Sequence, residues 1–141
     1  MATHSTEDAP VTVRTVGMLE LPGTAGVMVA ADLVYRVRDC FAVTMVLRGP
    51  DDVEVGWTFA WDLLERGLSA ATGEGEVRVA PVPGSEGIVE VVLASSFGAR
   101  MAFPTRDIAA FLHLARPLLA RGLSGVSADL DRELAAIMEN R

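Results

Sequence analysis

The chain has 141 residues, a length that suits one domain able to bury roughly 68–70% of its unfolded surface in a single core. Hydrophobic residues make up 50% of the chain and charged residues 22%, which excludes intrinsic disorder except at the ends. The net charge is −7 and lysine is absent. Such a chain is poorly suited to nucleic-acid phosphates or anionic lipid, since both are attracted by basic side chains.

The high hydropathy of the chain indicates a surface that is buried against another protein chain. The mean hydropathy of +0.34 is high for a 15.0 kDa protein, yet no apolar run approaches the ~20 residues needed to span a bilayer. The surplus of Val, Leu and Ala must be buried in sheets or between subunits. We therefore expect a homo-oligomer or a lasting partner surface.

The expected compartment follows from the cysteine count and the N-terminus. Cys40 is the only cysteine, so it has no partner for an internal disulfide, as suits a reducing compartment. The first residues, MATHSTEDAP, lack the basic and apolar segments of a secretory signal. These features predict a cytoplasmic protein.

The N-terminal half is predicted to be a β-meander after a tail. Residues 1–10 are polar and without periodicity, which predicts a flexible tail followed by one domain over residues 11–141. From Val11 to Phe59 the chain alternates apolar and polar residues in four runs joined by short turns. Four such runs indicate an antiparallel meander.

The decapeptide FAWDLLERGL, residues 59–68, breaks the β period and predicts a short helix. Its apolar side chains fall at helical spacing, while Asp62, Glu65 and Arg66 occupy the other side. Gly67 is placed to end the helix in a left-handed conformation. Trp57, Trp61 and Tyr35 are typical core residues, but the ring of Trp61 is expected to be the least covered of the three, because its helix is short.

Three more strands and two helices are predicted after this point. The strands are expected near residues 76–80, 87–94 and 99–103. Thr105 caps a helix that Pro117 kinks or ends, and Ser127 caps a last helix after the glycine-rich turn at residues 122–125. The predicted order is β-β-β-β-α-β-β-β-α-α, an α+β fold.

The polar residues do not form a pattern typical of catalysis or metal binding. His4 lies in the tail, His113 lies among leucines on a helix, and Cys40 has no C-x-x-C mate. Asp129, Asp131 and Glu133 are simply explained as acids at a helix N-terminus. The sequence therefore predicts no catalytic residue, no cofactor and no metal, and hence a protein that is not an enzyme.

The arginines leave one alternative open. If several of them met on one sheet face, they would bind an acidic partner or a nucleic-acid backbone; otherwise they are dispersed solubilising residues, as the lack of aromatic residues on the polar faces favours. Ser95 and Ser96 are the other polar candidates. The arginines concerned are Arg36, Arg38, Arg48, Arg78 and Arg100.

A long ordered motif lies between Val55 and Pro81, with the pattern W-x-F-A-x-x-L-L-x-x-G-L, then T-G-x-G-x-V-x-V. In this motif the chain resembles the SsgA-like proteins of sporulating actinobacteria. Looser matches extend the resemblance over about residues 27–140. The matching residues are Trp57, Phe59, Ala60, Leu63, Leu64, Gly67 and Leu68, then Thr72, Gly73, Gly75, Val77 and Val79.

The resemblance implies a fold and a role. The fold would resemble the Whirly type, with two packed antiparallel β-sheets and C-terminal helices that join subunits, typically as trimers. The role would be non-enzymatic regulation of septum placement in sporulation, at division septa. Partners would be the chain itself, the tubulin-like FtsZ ring, cell-wall proteins or another SsgA-like protein. Whirly proteins bind single-stranded DNA, and a nucleic-acid-binding module is thus the alternative function.

The predicted partner surface lies on the helix of FAWDLLERGL. Its outward polar residues stand beside a tryptophan that is expected to be partly exposed. We therefore expect partners to dock near Trp61, Asp62, Glu65 and Arg66.

Overall fold

The computed structural model describes residues 9–49, 52–73, 75–94 and 98–139. Residues 1–8 of the predicted tail, together with His4, Ser95 and Ser96, lie outside the described residues. The elements, in chain order, are strands β1 (Val11–Glu20), β2 (Val27–Tyr35), β3 (Ala42–Arg48) and β4 (Glu54–Ala60), helix α1 (Trp61–Gly67), strands β5 (Val77–Pro81), β6 (Ile88–Leu93) and β7 (Ala99–Pro104), and helix α2 (Thr105–Glu139).

The seven strands form one curled antiparallel sheet in the order β4-β3-β2-β1-β7-β6-β5. The predicted meander of the first four strands is confirmed. The prediction of two packed sheets is wrong, because β1 pairs with β2 on one side and, through Met18, Leu19 and Glu20, with β7 on the other. That three-residue ladder joins the two halves. Residue alternation shows which side chains face a core, but it does not show which strands are neighbours.

Helix α1 crosses from one edge strand of the sheet, β4, to the other, β5, and so lies across the open side of the curl. Gly67 is buried where this helix meets β5: a Cβ there would lie 2.3 Å from Val79 Cγ1. The expected left-handed conformation at Gly67 is wrong, since Gly67 is the last helical residue and has no positive φ. The glycine is required by close approach of the helix to Val79.

The core is centred on an aromatic cluster beneath α1. The ring of Trp61 packs edge-on against Tyr35, with ring centroids 5.2 Å apart, and is tilted against Phe111 at 6.5 Å. The Tyr35 hydroxyl donates a 2.9 Å hydrogen bond to the Cys40 carbonyl oxygen. Burial raises the pKa of Tyr35 to about 12, so the hydroxyl remains a donor throughout the neutral range.

The C-terminal part is one helix, α2, and the prediction of two helices is wrong. The helix runs through Pro117 and through the glycine-rich segment. Gly122 lies against the short 3-10 helix Val37–Asp39 and its neighbour Cys40: a Cβ at residue 122 would lie 2.5 Å from Cys40 Cβ. This packing explains why residue 122, which was predicted to lie in a turn between two helices, is a glycine.

The first half of α2 covers the inner face of the sheet. Its buried side chains are Ile108, Phe111, Leu112 and Ala115. The buried Thr15 hydroxyl of β1 donates a 2.8 Å hydrogen bond to Asp107 Oδ2, which fixes the start of the helix over the sheet. Among the described helices, none is apolar over a stretch long enough to cross a membrane.

A charged cluster lies on the outer face of the meander around Asp32, which is 7% exposed. Arg14 donates to both oxygens of Asp32 at 2.9 and 3.3 Å, and Arg48 donates to Oδ2 at 3.1 Å and also pairs with Glu54. The hydrogen bond from Arg14, with a further one from Arg48, lowers the pKa of Asp32 although burial acts in the opposite direction. The cluster ties four neighbouring strands together.

The contact between Gly67 and Val79 predicts an unusual response to alanine. Gly67→Ala should lower the free energy of unfolding by about 1–3 kcal/mol, because the added methyl group overpacks the contact with Val79. Gly125→Ala is the matched control on α2, where a Cβ meets nothing within 4 Å. It should not lower the free energy of unfolding, since alanine favours helix and the added methyl group meets no neighbour. Urea denaturation measures both; equal effects of the two substitutions would contradict the packing.

The Asp32 cluster predicts a pH dependence of stability. A lowered pKa means that the ionised carboxylate stabilises the fold at neutral pH and that this contribution is lost as pH falls below about 4, through the folded-state pKa. Asp32→Asn should therefore lower the free energy of unfolding at pH 7 and have a smaller effect at pH 3. Asp62→Asn, in an exposed pair, is the control and should show little change at either pH. Denaturant titrations at pH 7 and pH 3 measure the free energy of unfolding of both variants.

Candidate partner-binding groove

An apolar groove lies where the start of α1 meets the middle of α2. Its volume is about 420 Å³. We call this site the Phe41 groove, after its most exposed aromatic residue. The lining residues are Phe41, Ala60, Trp61, Asp62, Glu65, Leu119 and Leu123.

The walls of the groove are hydrophobic side chains that the fold leaves accessible. Phe41 lies just before β3 and is 59% exposed. Leu123 on α2 is 41% exposed, and Leu119 is partly buried. An accessible apolar wall of this kind is typical of a protein-binding site.

The charged residues at the rim are already in ion pairs. Asp62 pairs with Arg66 one turn later, at 3.4 Å, and Glu65 pairs with Arg116 of α2, at 2.7 Å. Both pairs are partly or largely exposed, so they orient the rim rather than stabilise the fold strongly. A partner would meet a nearly neutral, hydrogen-bonding border around an apolar floor.

The four residues predicted to bind partners are divided by the structure. Trp61, Asp62 and Glu65 line the groove, whereas Arg66 faces a separate depression shared with Thr72 and Arg78. The expectation of a partly exposed Trp61 ring is wrong, since the residue is 4% exposed. Its Nε1 is buried and has no hydrogen-bond acceptor among the described residues. Partner binding at these four residues stays a prediction.

The groove continues into an exposed apolar stripe on the second half of α2. From residue 124 onward every described residue of the helix is exposed. The large apolar ones recur every three or four positions and so share one side. Their exposed fractions range from 37% to 66%. We call this the α2 stripe; its members are Leu123, Val126, Leu130, Leu134, Ile137 and Met138.

The other polar candidates do not assemble into a site within the described residues. No group of three or more His, Cys, Asp or Glu that could hold a metal ion occurs in that part of the chain. His113 is exposed on α2, and Cys40 is buried. Arg48 and Arg100 are paired with acids, the latter with Glu90 at 3.0 Å, so these two do not offer free positive charge.

The roles of Trp61 and Asp62 can be separated by stability. Trp61→Ala should lower the free energy of unfolding by about 3–5 kcal/mol, because it removes a buried ring from the core. Asp62→Ala and Glu65→Gln should each change it by less than about 0.5–1 kcal/mol, as exposed pairs do. Thermal or urea unfolding measures all three. A fully stable Trp61→Ala variant would show that the ring is not a core residue.

Comparisons with known proteins identify the family. The model of the family described as Streptomyces sporulation and cell division protein, SsgA, matches residues 29–124. Sporulation-specific cell division protein SsgB of Thermobifida fusca is 37% identical over 119 residues, which cover 83% of this chain and 86% of that protein. SsgB of Streptomyces coelicolor is 36% identical over 112 residues, covering 78% and 82%.

The fold agrees with these sequence matches. The crystal structure of an SsgA-like sporulation-specific cell division protein from Thermobifida fusca superposes with a TM-score of 0.77 at 32% identity, over 92% of this chain and 96% of that one. A structure from work on SsgB mutations and longitudinal cell division in Streptomyces coelicolor gives a TM-score of 0.67 at 30% identity, over 85% and 91%. The resemblance inferred from the motif is thereby confirmed, and the chain belongs to the SsgA family of sporulation and cell division proteins.

Proposed function

We propose that the protein is a non-enzymatic regulator of sporulation-specific cell division that works as an adaptor. It presents the Phe41 groove to proteins of the FtsZ ring or of cell-wall synthesis, in the cytoplasm at division septa, and thereby influences septum placement. The curated relatives named for sporulation-specific cell division support the process. The observation that carries the adaptor mechanism is the accessible apolar groove with its neutral rim.

Self-association is the second part of the proposal. The α2 stripe exposes six large apolar side chains along one side of a helix that packs on nothing else in the described chain over its last turns. Association of such stripes from several copies would bury them, and a trimer of the Whirly type is the arrangement proposed. The high mean hydropathy of the chain is consistent with this burial.

The test is co-sedimentation of the purified protein with polymers of FtsZ, one named candidate partner, and pull-down from sporulating cells for the cell-wall candidates. Phe41→Glu should reduce binding at least tenfold, because it places a charge in the apolar wall of the groove. Met28→Glu is the matched control: Met28 is 60% exposed, almost the same as Phe41, but lies near the start of β2 and does not line the groove. It should bind as the wild type does.

A third variant separates self-association from partner binding. Leu134→Glu in the α2 stripe should lower the mass measured by light scattering below that of the wild type, since it puts a carboxylate in the shared apolar stripe. Binding of all partners by folded Phe41→Glu at wild-type strength would overturn the groove mechanism. Retention of the wild type on single-stranded DNA at ~0.15 M salt would favour the nucleic-acid alternative instead.

A further inference from the structure

The two edges of the sheet differ in how far they are open to another strand. Along β5 the edge is partly occupied, because Thr72 and Val79 exchange two backbone hydrogen bonds, Thr72 N to Val79 O at 2.9 Å and Val79 N to Thr72 O at 3.0 Å. The strand then ends in Pro81, which has no N–H. Bridges and prolines of this kind are how proteins prevent edge strands from pairing with other chains.

The β4 edge has neither device. Gly49 N donates to Val53 O at 2.9 Å, and Trp61 N donates to Phe41 O at 2.8 Å, so the odd-numbered residues between Val53 and Trp61 direct their backbone groups toward β3. The backbone groups of the even-numbered residues must then point away from the sheet. Those of Glu54, Gly56 and Thr58 have no backbone partner among the described residues, and all three residues are exposed.

Apolar side chains next to this edge are also uncovered. Val53 and Val55 belong to the inner face, as do Trp57 and Phe59, but they are 58% and 47% exposed because α2 packs mainly on the central strands β1, β7 and β2. An edge with unpaired backbone groups beside exposed valines is the kind of surface that accepts an added strand.

We propose that the β4 edge pairs with the β4 edge of a second copy of this chain, antiparallel and about a two-fold axis at Gly56. In this register Gly56 of each copy faces the other and exchanges both backbone hydrogen bonds, and Glu54 faces Thr58 of the other copy. Val55 faces Trp57 of the other copy on the inner face, where the closer spacing of a non-hydrogen-bonded pair would cover Val55.

A second copy fits this edge because β4 itself has the pattern that the added strand requires. Its odd positions are apolar and its even positions near the axis are small or short, so apolar side chains meet on the inner face without crowding on the outer face. Glu54 is the one charged residue in β4, and it remains paired with Arg48. In the proposed register the two Glu54 side chains are four residues apart, so two acidic chains meet without like charges facing each other.

The occupied β5 edge determines where this pairing stops. A head-to-tail contact between β4 and β5 of successive copies would build a filament, but the Thr72 bridge and Pro81 oppose it. Pairing of β4 with β4 is isologous and closes at two copies. This interface is independent of the α2 stripe, so a protein that failed to bind division proteins could still dimerise here.

The first experiment measures the mass of the full-length protein by sedimentation equilibrium. Gly56→Pro removes the N–H at the centre of the interface; the strand tolerates it because that N–H points away from β3 and Gly56 has no positive φ. We expect at least a tenfold weaker association, with unchanged circular dichroism. Gly56→Ala is the control, since a Cβ there meets nothing closer than 3.8 Å, and it should associate as the wild type does.

The second experiment maps the register by disulfide cross-linking, so a folding defect in the proline variant does not remove the test. Gly56→Cys should cross-link two copies on mild oxidation, because its two Cα atoms face each other at about 5.5 Å. Thr58→Cys should not, since its own copies are ~13 Å apart across the axis. The native Cys40 is buried and serves as the background. A cross-link at residue 58 as strong as at 56, or none at 56, would overturn the proposal. So would equal masses for the proline and alanine variants. Capture of an unrelated extended peptide by the same edge, in place of a second copy, would also overturn it.

Discussion

The structure depends on the contact that holds α1 across the two edges of one curled sheet. Trp61 packs edge-on against Tyr35 and tilted against Phe111, so a single ring joins α1, β2 and α2. At the other end of the helix, Gly67 allows β5 to approach within van der Waals distance of the helix backbone. Seven residues thereby close the open side of the curl, and the inner faces of the two half-sheets share one hydrophobic core with the first half of α2.

The surfaces that remain are consequences of this closure. Because α2 packs mainly on the central strands β1, β7 and β2, Val53 and Val55 stay exposed at the β4 edge. Because α1 is short, the residue before β3, Phe41, lies beside it as the wall of a groove, and α2 supplies the opposite wall. Within the described residues, exposed large apolar side chains lie in the groove, along the α2 stripe, at Val53 and Val55, and also on β1 and β2, at Val16, Met18, Val27 and Met28. The first three of these places are defined by where the fold ends rather than by a special motif.

The residue pattern of the sequence predicted those features that residues close together in the chain determine. Alternation located the strands, and the motif between Val55 and Pro81 identified the family. The predictions that proved wrong concern features that depend on contacts between residues far apart in the sequence. Gly67 and Gly122 read as helix ends, but both are helical residues that distant side chains, Val79 and Cys40, approach too closely for a Cβ. Trp61 was predicted to be partly exposed because the sequence does not show that the rings of Tyr35 and Phe111 pack against it. The three-residue ladder between β1 and β7, which makes one sheet of two halves, is too short to leave a periodic signal.

The second half of α2 has a consequence for how the protein responds to its own abundance. Residues 124–139 of α2 are all exposed, and isolated helices of about 12–15 residues are only marginally stable in water, so these last turns are ordered chiefly by whatever they contact. If the α2 stripe self-associates as proposed, the amide protons of this segment exchange rapidly with solvent in dilute protein and slowly in concentrated protein, since ordering and self-association are then thermodynamically linked. Helix content would then report the local concentration of the chain, and a site that gathers many copies would be the place where this segment becomes rigid.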